Sequence, residues 1–308
     1  MKRLHFRILT YILAAVILMP LRCVAETDTA FIFHDDLKRV IEVDSPQKVA
    51  VASGSLAECW LLAGGELYAA TEDAWDRGVD LPEETINIGS LKNPSLEMLV
   101  AVKPDLVLLS STLTGHISLS ETLDKAGIPH AFFDTESFLD YAALMDILTN
   151  ITGRKDLYES HVASLFPVID YAKQNCRMNG AKVLLLRSST AKIKALNSAT
   201  MVGSMLREFG CVNIADSSSN LLTDLSLETI MLENPDYIFI TCMGDTDKAV
   251  AQINAHFASN PIWNKLQAVQ NSRCFYLEKE LFHYKPNARW GESYEKLAEL
   301  LSENQKNG

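Results

Sequence analysis

The chain has 308 residues, of which 48% are hydrophobic and 22% charged, and its formal net charge is −11. That length and apolar content bury a large core and suit two domains better than one. A surface this acidic speaks against nucleic acid as a partner, because phosphate contacts need clustered Lys and Arg.

The first stretch differs from the rest. "MKRLHFR" is basic, "ILTYILAAVILM" is apolar but too short to span a bilayer comfortably, and "PLRCVA" ends on a small residue before "ETDT". This is the pattern of a cleaved secretory signal over residues 1–25, with the cut after Ala25. Removing Lys2, Arg3, Arg7 and Arg22 and no acid moves the formal charge from −11 to −15. Cys23 offers a rival, a lipid anchor on the new N-terminus. Arg22, however, is bulky and charged where such processing sites have a small residue, so free export to the periplasm or the outer face of the cytoplasmic membrane is expected. The remaining cysteines, Cys59, Cys176, Cys211, Cys242 and Cys274, are scattered singly, a poor disulfide framework and a poor zinc site.

"AFIFHDDLKRVIEV" predicts a short hairpin. "KVAVAS" then reads as a strand running into the helix "GSLAECWLLAGG", which closes on Gly64-Gly65. The alternation continues through "ELYAATEDAWDRGVDLP", a helix from Ser95, the strand "DLVLLSS", the helix "SLSETLDKAG" and the strand "PHAFFD". Such alternation implies a mainly parallel sheet covered on both faces. Residues 138–175 then read as a helix pair separated by Gly153, with a kink expected at Pro167. The second half restarts at "KVLLLRSS", passes through "ATMVGSMLREFG", a helix from Ser226 and the strand "DYIFITC", and ends with "RCFYLE" and "RWGESYEKLAELLSE". No Gly/Ser-rich linker occurs between the halves, so the helical connection predicts a stiff hinge and modest closure.

Two segments echo each other. "SLEMLVAVKPDLVLLS" from Ser95 and "SLETIMLENPDYIFIT" from Ser226 share Ser-Leu-Glu at a helix start and Pro-Asp before a strand, with a constant offset of 131 (Ser226 against Ser95, Glu228 against Glu97, Pro235 against Pro104). Each copy is the same helix-to-strand element of its own lobe. The fold class is therefore α/β, with two lobes, each a mainly parallel sheet flanked by helices, joined by a long linker helix. The bounds are 26–153 for the N-terminal lobe, 154–177 for the linker and 178–308 for the C-terminal lobe.

"KVAVASGSLAECWLLAGGE", "SLEMLVAVKPDLVLLSS", the helix pair from Phe138 to Asn175 and "ELFHYKPNARW" together resemble the solute-binding proteins of ABC importers that have a single helix between lobes. That family delivers ferric siderophores, haem or cobalamin. The resemblance covers essentially all of the mature chain and implies a monomer that binds its cargo between the lobes and hands it to a permease dimer in the membrane. It further implies that Glu97 and Glu228 dock into arginine pockets on that permease. The local alternative is that both are first-turn acids after Ser95 and Ser226 as N-caps, complementing the helix dipole; both can hold at once.

Open α/β sheets bind ligands beyond the carboxyl ends of their strands. The loops there single out Ser53, Ser55, Trp75, Arg77, Ser111, His116, Arg187, Asn197, His283, Tyr284 and Lys285 as candidate ligand-binding residues. Arg77, Arg187 and Lys285 suit an anionic chelate through charge-assisted hydrogen bonds, although any one of them alone reads equally as an ordinary surface ion pair. His116, His283 and Tyr284 carry donors that suit iron or haem. No tight cluster of His and carboxylates suggests a naked Zn or Mn ion, so a pre-formed complex is expected, with no cofactor of the protein's own. The alternatives are a secreted hydrolase, for which G-x-S-x-G is missing, a binder of free metal ions, and a cofactor-bearing redox or adhesion module of similar two-lobed fold, which a metal cluster held by Cys59 or Cys242 would favour.

Overall fold

The computed structural model describes residues 30–302; the expected leader 1–25, its cut and Cys23 lie outside the described residues. The described residues begin with an antiparallel hairpin, β1 (Phe31–His34) and β2 (Val40–Val43). The N-terminal lobe follows as β3 (Val49–Val51), β4 (Leu67–Ala70), β5 (Ile86–Asn87), β6 (Leu106–Ser110) and β7 (His130–Phe133), all parallel, in the order β5-β4-β3-β6-β7. The C-terminal lobe contains β8 (Lys182–Ser188), β9 (Ile193–Leu196), β10 (Val212–Asn213), β11 (Tyr237–Cys242) and β12 (Cys274–Tyr276), with β10-β8-β11-β12 parallel. β9, which the sequence reading passed over, runs antiparallel beside β8.

Each central strand serves two cores because successive side chains face opposite ways. Val49, Val51, Leu106 and Leu108 join one cluster, whereas Ala50, Ala52, Val107 and Leu109 join another on the far face. In the second lobe Val183, Leu185, Tyr237 and Phe239 belong to that same first cluster, and Leu184, Leu186, Ile238 and Ile240 to a separate one. One apolar core therefore runs beneath both sheets. It passes through the connection, where Tyr141, Met145, Ile169 and Ala172 are buried, and is completed by Trp290 and Tyr294 of the C-terminal helix Trp290–Ser302. That helix lies along the linker helix Leu165–Asn175, and a Cβ at Gly291 would stand 3.2 Å from Val168, so the two backbones approach closely.

The connection departs from expectation at one point. Gly153 ends the helix Phe138–Thr152 at φ +71, as its position predicts. The irregularity expected at Pro167 lies earlier: Glu159–Ala163 forms a π turn, and Pro167 sits in the first turn of the regular helix Leu165–Asn175. Proline has no N–H to give the carbonyl four residues back, here Ala163, and its ring crowds that carbonyl, so the strain is relieved on the N-terminal side.

The echo has a physical cause in each half. Ser95 caps the helix Leu96–Val102 by accepting from the Met98 N–H at 3.2 Å, and Ser226 caps Leu227–Glu233 by accepting from the Thr229 N–H at 3.3 Å. Lys103 (φ 45) and Asn234 (φ 42) then end the helices in the left-handed region, because the residue before a proline is pushed out of the helical well. The aspartate that follows holds the neighbouring strand in register. Asp105 accepts from the Lys48 N–H at 2.9 Å, and Asp236 accepts from the Lys182 N–H at 2.8 Å. Lys48 immediately precedes β3 and Lys182 opens β8, so the repeated phrase encodes one corner of each sheet.

Candidate functional site

Between the lobes lies a cleft of about 740 Å³ at the carboxyl ends of the strands, with a side chamber of about 150 Å³ reaching under the helix Met201–Glu208. Ser53, Ser55, Arg77, Arg187, His283, Tyr284 and Lys285 line it, seven of the eleven residues singled out from the sequence. The N-terminal lobe supplies its wall from the start of the helix Gly54–Leu62, where the Gly54 N–H donates to Asp73 Oδ2 at 2.8 Å, and from the turn Asp73–Asp76. The C-terminal lobe supplies Arg187 from the end of β8 and the segment that follows β12.

Four candidates are placed elsewhere. Residues 73–76 form a helical turn rather than a loop, so Asp73, Asp76 and Arg77 share one face while Trp75, 42% exposed, lies on another. Ser111 ties its N–H to the Phe133 carbonyl, and it is the alternate residues Ser110 and Thr112 that reach the cleft. Asn197 turns its side chain onto the Ala199 N–H, a local Asx turn ahead of the helix Met201–Glu208. His116 is wholly buried: its Nδ1 accepts from the Ser110 N–H at 2.9 Å and its Nε2 donates to the Leu91 carbonyl. Both ring nitrogens are thus used internally, clamping the segment that leads to Ser95, and burial holds the ring below its usual pKa.

Residues absent from the sequence reading complete the site. Lys279 donates to the Gly244 carbonyl at 2.9 Å and stands 4.9 Å from the Tyr284 ring centroid, while the Arg77 guanidinium lies 4.5 Å from that same ring. Lys285 pairs with Glu136 at 2.6 Å. Asn287, buried and at φ 49, donates to the Ser55 carbonyl (3.1 Å) and to Glu58 (2.7 Å), joining the lobes behind the cleft. Glu136 follows β7 on the same rim as the other loops, which was the available signal; Asn287 gave none, because its role rests on contacts more than 200 residues away in sequence.

His283 reports the field in the cleft. Burial, and then Arg187, Lys279, Arg77 and Lys285, push its pKa down to about 4. The unfolded imidazole takes its proton near 6.5, so the stability gained from keeping it neutral is fully present above about 6.5 and is lost as pH falls towards 4. His283→Gln is therefore expected to flatten the acid limb of unfolding free energy against pH, by at most one proton or about 1.4 kcal/mol per pH unit. Denaturant titrations at pH 7.5 and 4.5 check this, and parallel limbs for the two proteins would contradict it.

Residues 49–281 match the family model described as periplasmic binding protein. The chain belongs to that family. That family is a non-enzymatic class. Among relatives of this binding protein is YhfQ of Bacillus subtilis (strain 168), which bears the name of an ABC transporter substrate-binding lipoprotein. The two are 23% identical over 208 residues, 64% of this chain and 63% of that one, so the chain spans less than two thirds of that relative. Among solved structures, the siderophore binding protein BauB, bound to two acinetobactin molecules and ferric iron, superposes with a TM-score of 0.73 at 17% identity, covering 90% of this chain and 98% of its own. S. aureus IsdE complexed with heme gives 0.70 at 18% identity over 83% and 98%. These likenesses establish the two-lobed fold. Cys59 and Cys242 are buried thiols whose pKa values burial raises.

Proposed function

We propose that the protein captures an anionic iron complex, a ferric siderophore or haem, in the interlobe cleft and delivers it to an ABC permease outside the cytoplasm. The observation that carries this reading is the convergence of Arg77, Arg187, Lys279 and Lys285 around one neutral imidazole. Two of the cations have capacity to spare. No carboxylate pairs with Arg187 among the described residues. The buried Nε of Arg77 has no hydrogen-bond partner there, although its Nη2 reaches Glu58 at 3.2 Å. Guanidinium groups with free donors suit carboxylate-bearing or catecholate chelates through charge-assisted bonds. Four acids line the cleft beside these cations, Asp73, Asp76, Asp134 and Glu136, and two of them are committed: Asp73 accepts from the Gly54 N–H and from the Thr71 hydroxyl at 2.7 Å, and Glu136 pairs with Lys285 at 2.6 Å. His283, kept neutral, can offer a ring nitrogen to the iron of the cargo.

The protein as a whole is acidic, but beyond roughly 10 Å that field is screened at 0.1 M salt, so the local cations decide ligand charge. The names borne by structural neighbours include a ferric siderophore complex and heme, both iron complexes, beside vitamin B12. Tryptophan quenching against anionic and cationic ferric siderophores, haemin and cyanocobalamin tests the reading. Anionic complexes are expected to bind at least tenfold tighter than the neutral corrinoid, and the reverse order would overturn it.

A further inference from the structure

The carboxylate of Glu136 stands where an anionic ligand group would stand. Glu136 belongs to the N-terminal lobe, in the loop after β7, yet every partner of its side chain lies in the C-terminal lobe. One oxygen meets Lys285 Nζ at 2.6 Å and the other accepts from the Met201 N–H at 2.8 Å, at the first residue of the helix Met201–Glu208. Its backbone carbonyl also accepts from the Ser204 hydroxyl at 3.3 Å. The same carboxylate borders both the main cleft and the side chamber, and Arg187, His283 and Lys285 border both as well.

We infer that Glu136 is a specificity-determining residue: an internal counter-anion that occupies the basic end of the cleft and that a ligand must displace to reach Lys285. The inference rests on the anionic reading above. Its logic is competitive. A ligand carboxylate entering between Arg187 and Lys285 meets a negative charge already seated there, so only ligands with more anionic character than one carboxylate displace it, and neutral ligands gain nothing. Once released, Lys285 retains only Asp134, whose oxygen is 4.0 Å away and whose carboxyl is itself held above its usual pKa by burial. Displacement also breaks the two links that the Glu136 carboxylate makes to the C-terminal lobe, while Arg77 Nη2 still donates to the Lys285 carbonyl at 3.2 Å and the Asn287 bonds to Ser55 and Glu58 persist at the back. Ligand charge is thereby coupled to freedom of the lobes.

Glu136→Gln removes the charge but keeps an oxygen to accept from the Met201 N–H, so it separates competition from folding. The probes are ferric citrate, haemin and cyanocobalamin, titrated by fluorescence quenching into wild type, Glu136→Gln and Glu136→Ala. Both variants are expected to bind ferric citrate or haemin about tenfold tighter than wild type, with cyanocobalamin unmoved. Wild-type binding of an anionic probe with no gain, or a loss, in a variant that melts like wild type would overturn the role of Glu136 while leaving the anionic reading intact. Failure of wild type and both variants to bind either anionic probe, with cyanocobalamin bound, would overturn both. If Glu136→Gln does not fold, the alanine variant decides between the same outcomes.

Discussion

Import is expected to stop when Glu97 and Glu228 are both changed to arginine, while ligand affinity stays within about twofold of wild type. Both side chains are exposed, each at the second residue of a helix whose first turn is capped by serine. Arginine at a helix start opposes the dipole, at a cost of about 0.3 to 1 kcal/mol per site, which a domain of ordinary stability tolerates. At a permease surface that presents arginines, as the resemblance implies, the same change sets like charges against each other, worth several kcal/mol. Uptake through the reconstituted cognate permease, with binding and melting measured on the same preparations, separates the two effects. Normal uptake by a stably folded double variant would leave Glu97 and Glu228 as helix-start residues only.

The largest loss of stability is expected from Trp290→Ala. Trp290 is completely buried, opens the C-terminal helix, and packs its ring 6.3 Å from Phe138 of the connection and 6.3 Å from Tyr294, centroid to centroid. It is thus a plug in the single core shared by both lobes, beside the close approach of Gly291 to Val168. Truncating such a ring costs about 3 to 5 kcal/mol in lost transfer energy and residual cavity. That is a large part of the roughly 5 to 15 kcal/mol that holds a domain together. Trp75→Ala, by contrast, removes a half-exposed ring and should fall within about 0.5 kcal/mol of wild type. Guanidinium unfolding midpoints check both, and a Trp290→Ala loss below about 1 kcal/mol would mean that the lobes do not share a cooperative core.

The two-lobed architecture was legible because its signals are local. A serine cap, a helix stopped by proline and an aspartate that anchors the next strand are all written within a dozen residues, and the pair at Ser95 and Ser226 repeats them in register. The linker was legible from Gly153 and helical spacing; the displacement of its irregularity from Pro167 to Glu159–Ala163 follows from the four-residue reach of a helical hydrogen bond. The cleft was half legible. Loop position found Arg77, Arg187 and the His283-Tyr284-Lys285 run, because strand ends mark the rim whatever the loops do. It misplaced Trp75 and Ser111 for want of their local periodicity, and His116 because burial of a histidine between Ser110 and Leu91 depends on a loop folded back from 25 residues away. Glu136 was within reach by its place on the rim after β7, though not its partners across the cleft, and Asn287 lay beyond reach, since it acts on the opposite lobe and nothing in its neighbourhood announces the partner.

The affinity of Arg187→Ala for the tightest anionic iron complex tests the central claim most directly. Arg187 sits at the end of β8, borders both cavities and is the first of the cations that depress His283, and its guanidinium is committed to no carboxylate among the described residues. Its removal should therefore cost little stability and weaken binding at least tenfold, about 1.4 kcal/mol. Unchanged affinity in a folded Arg187→Ala protein would contradict the account of an anion held between the lobes.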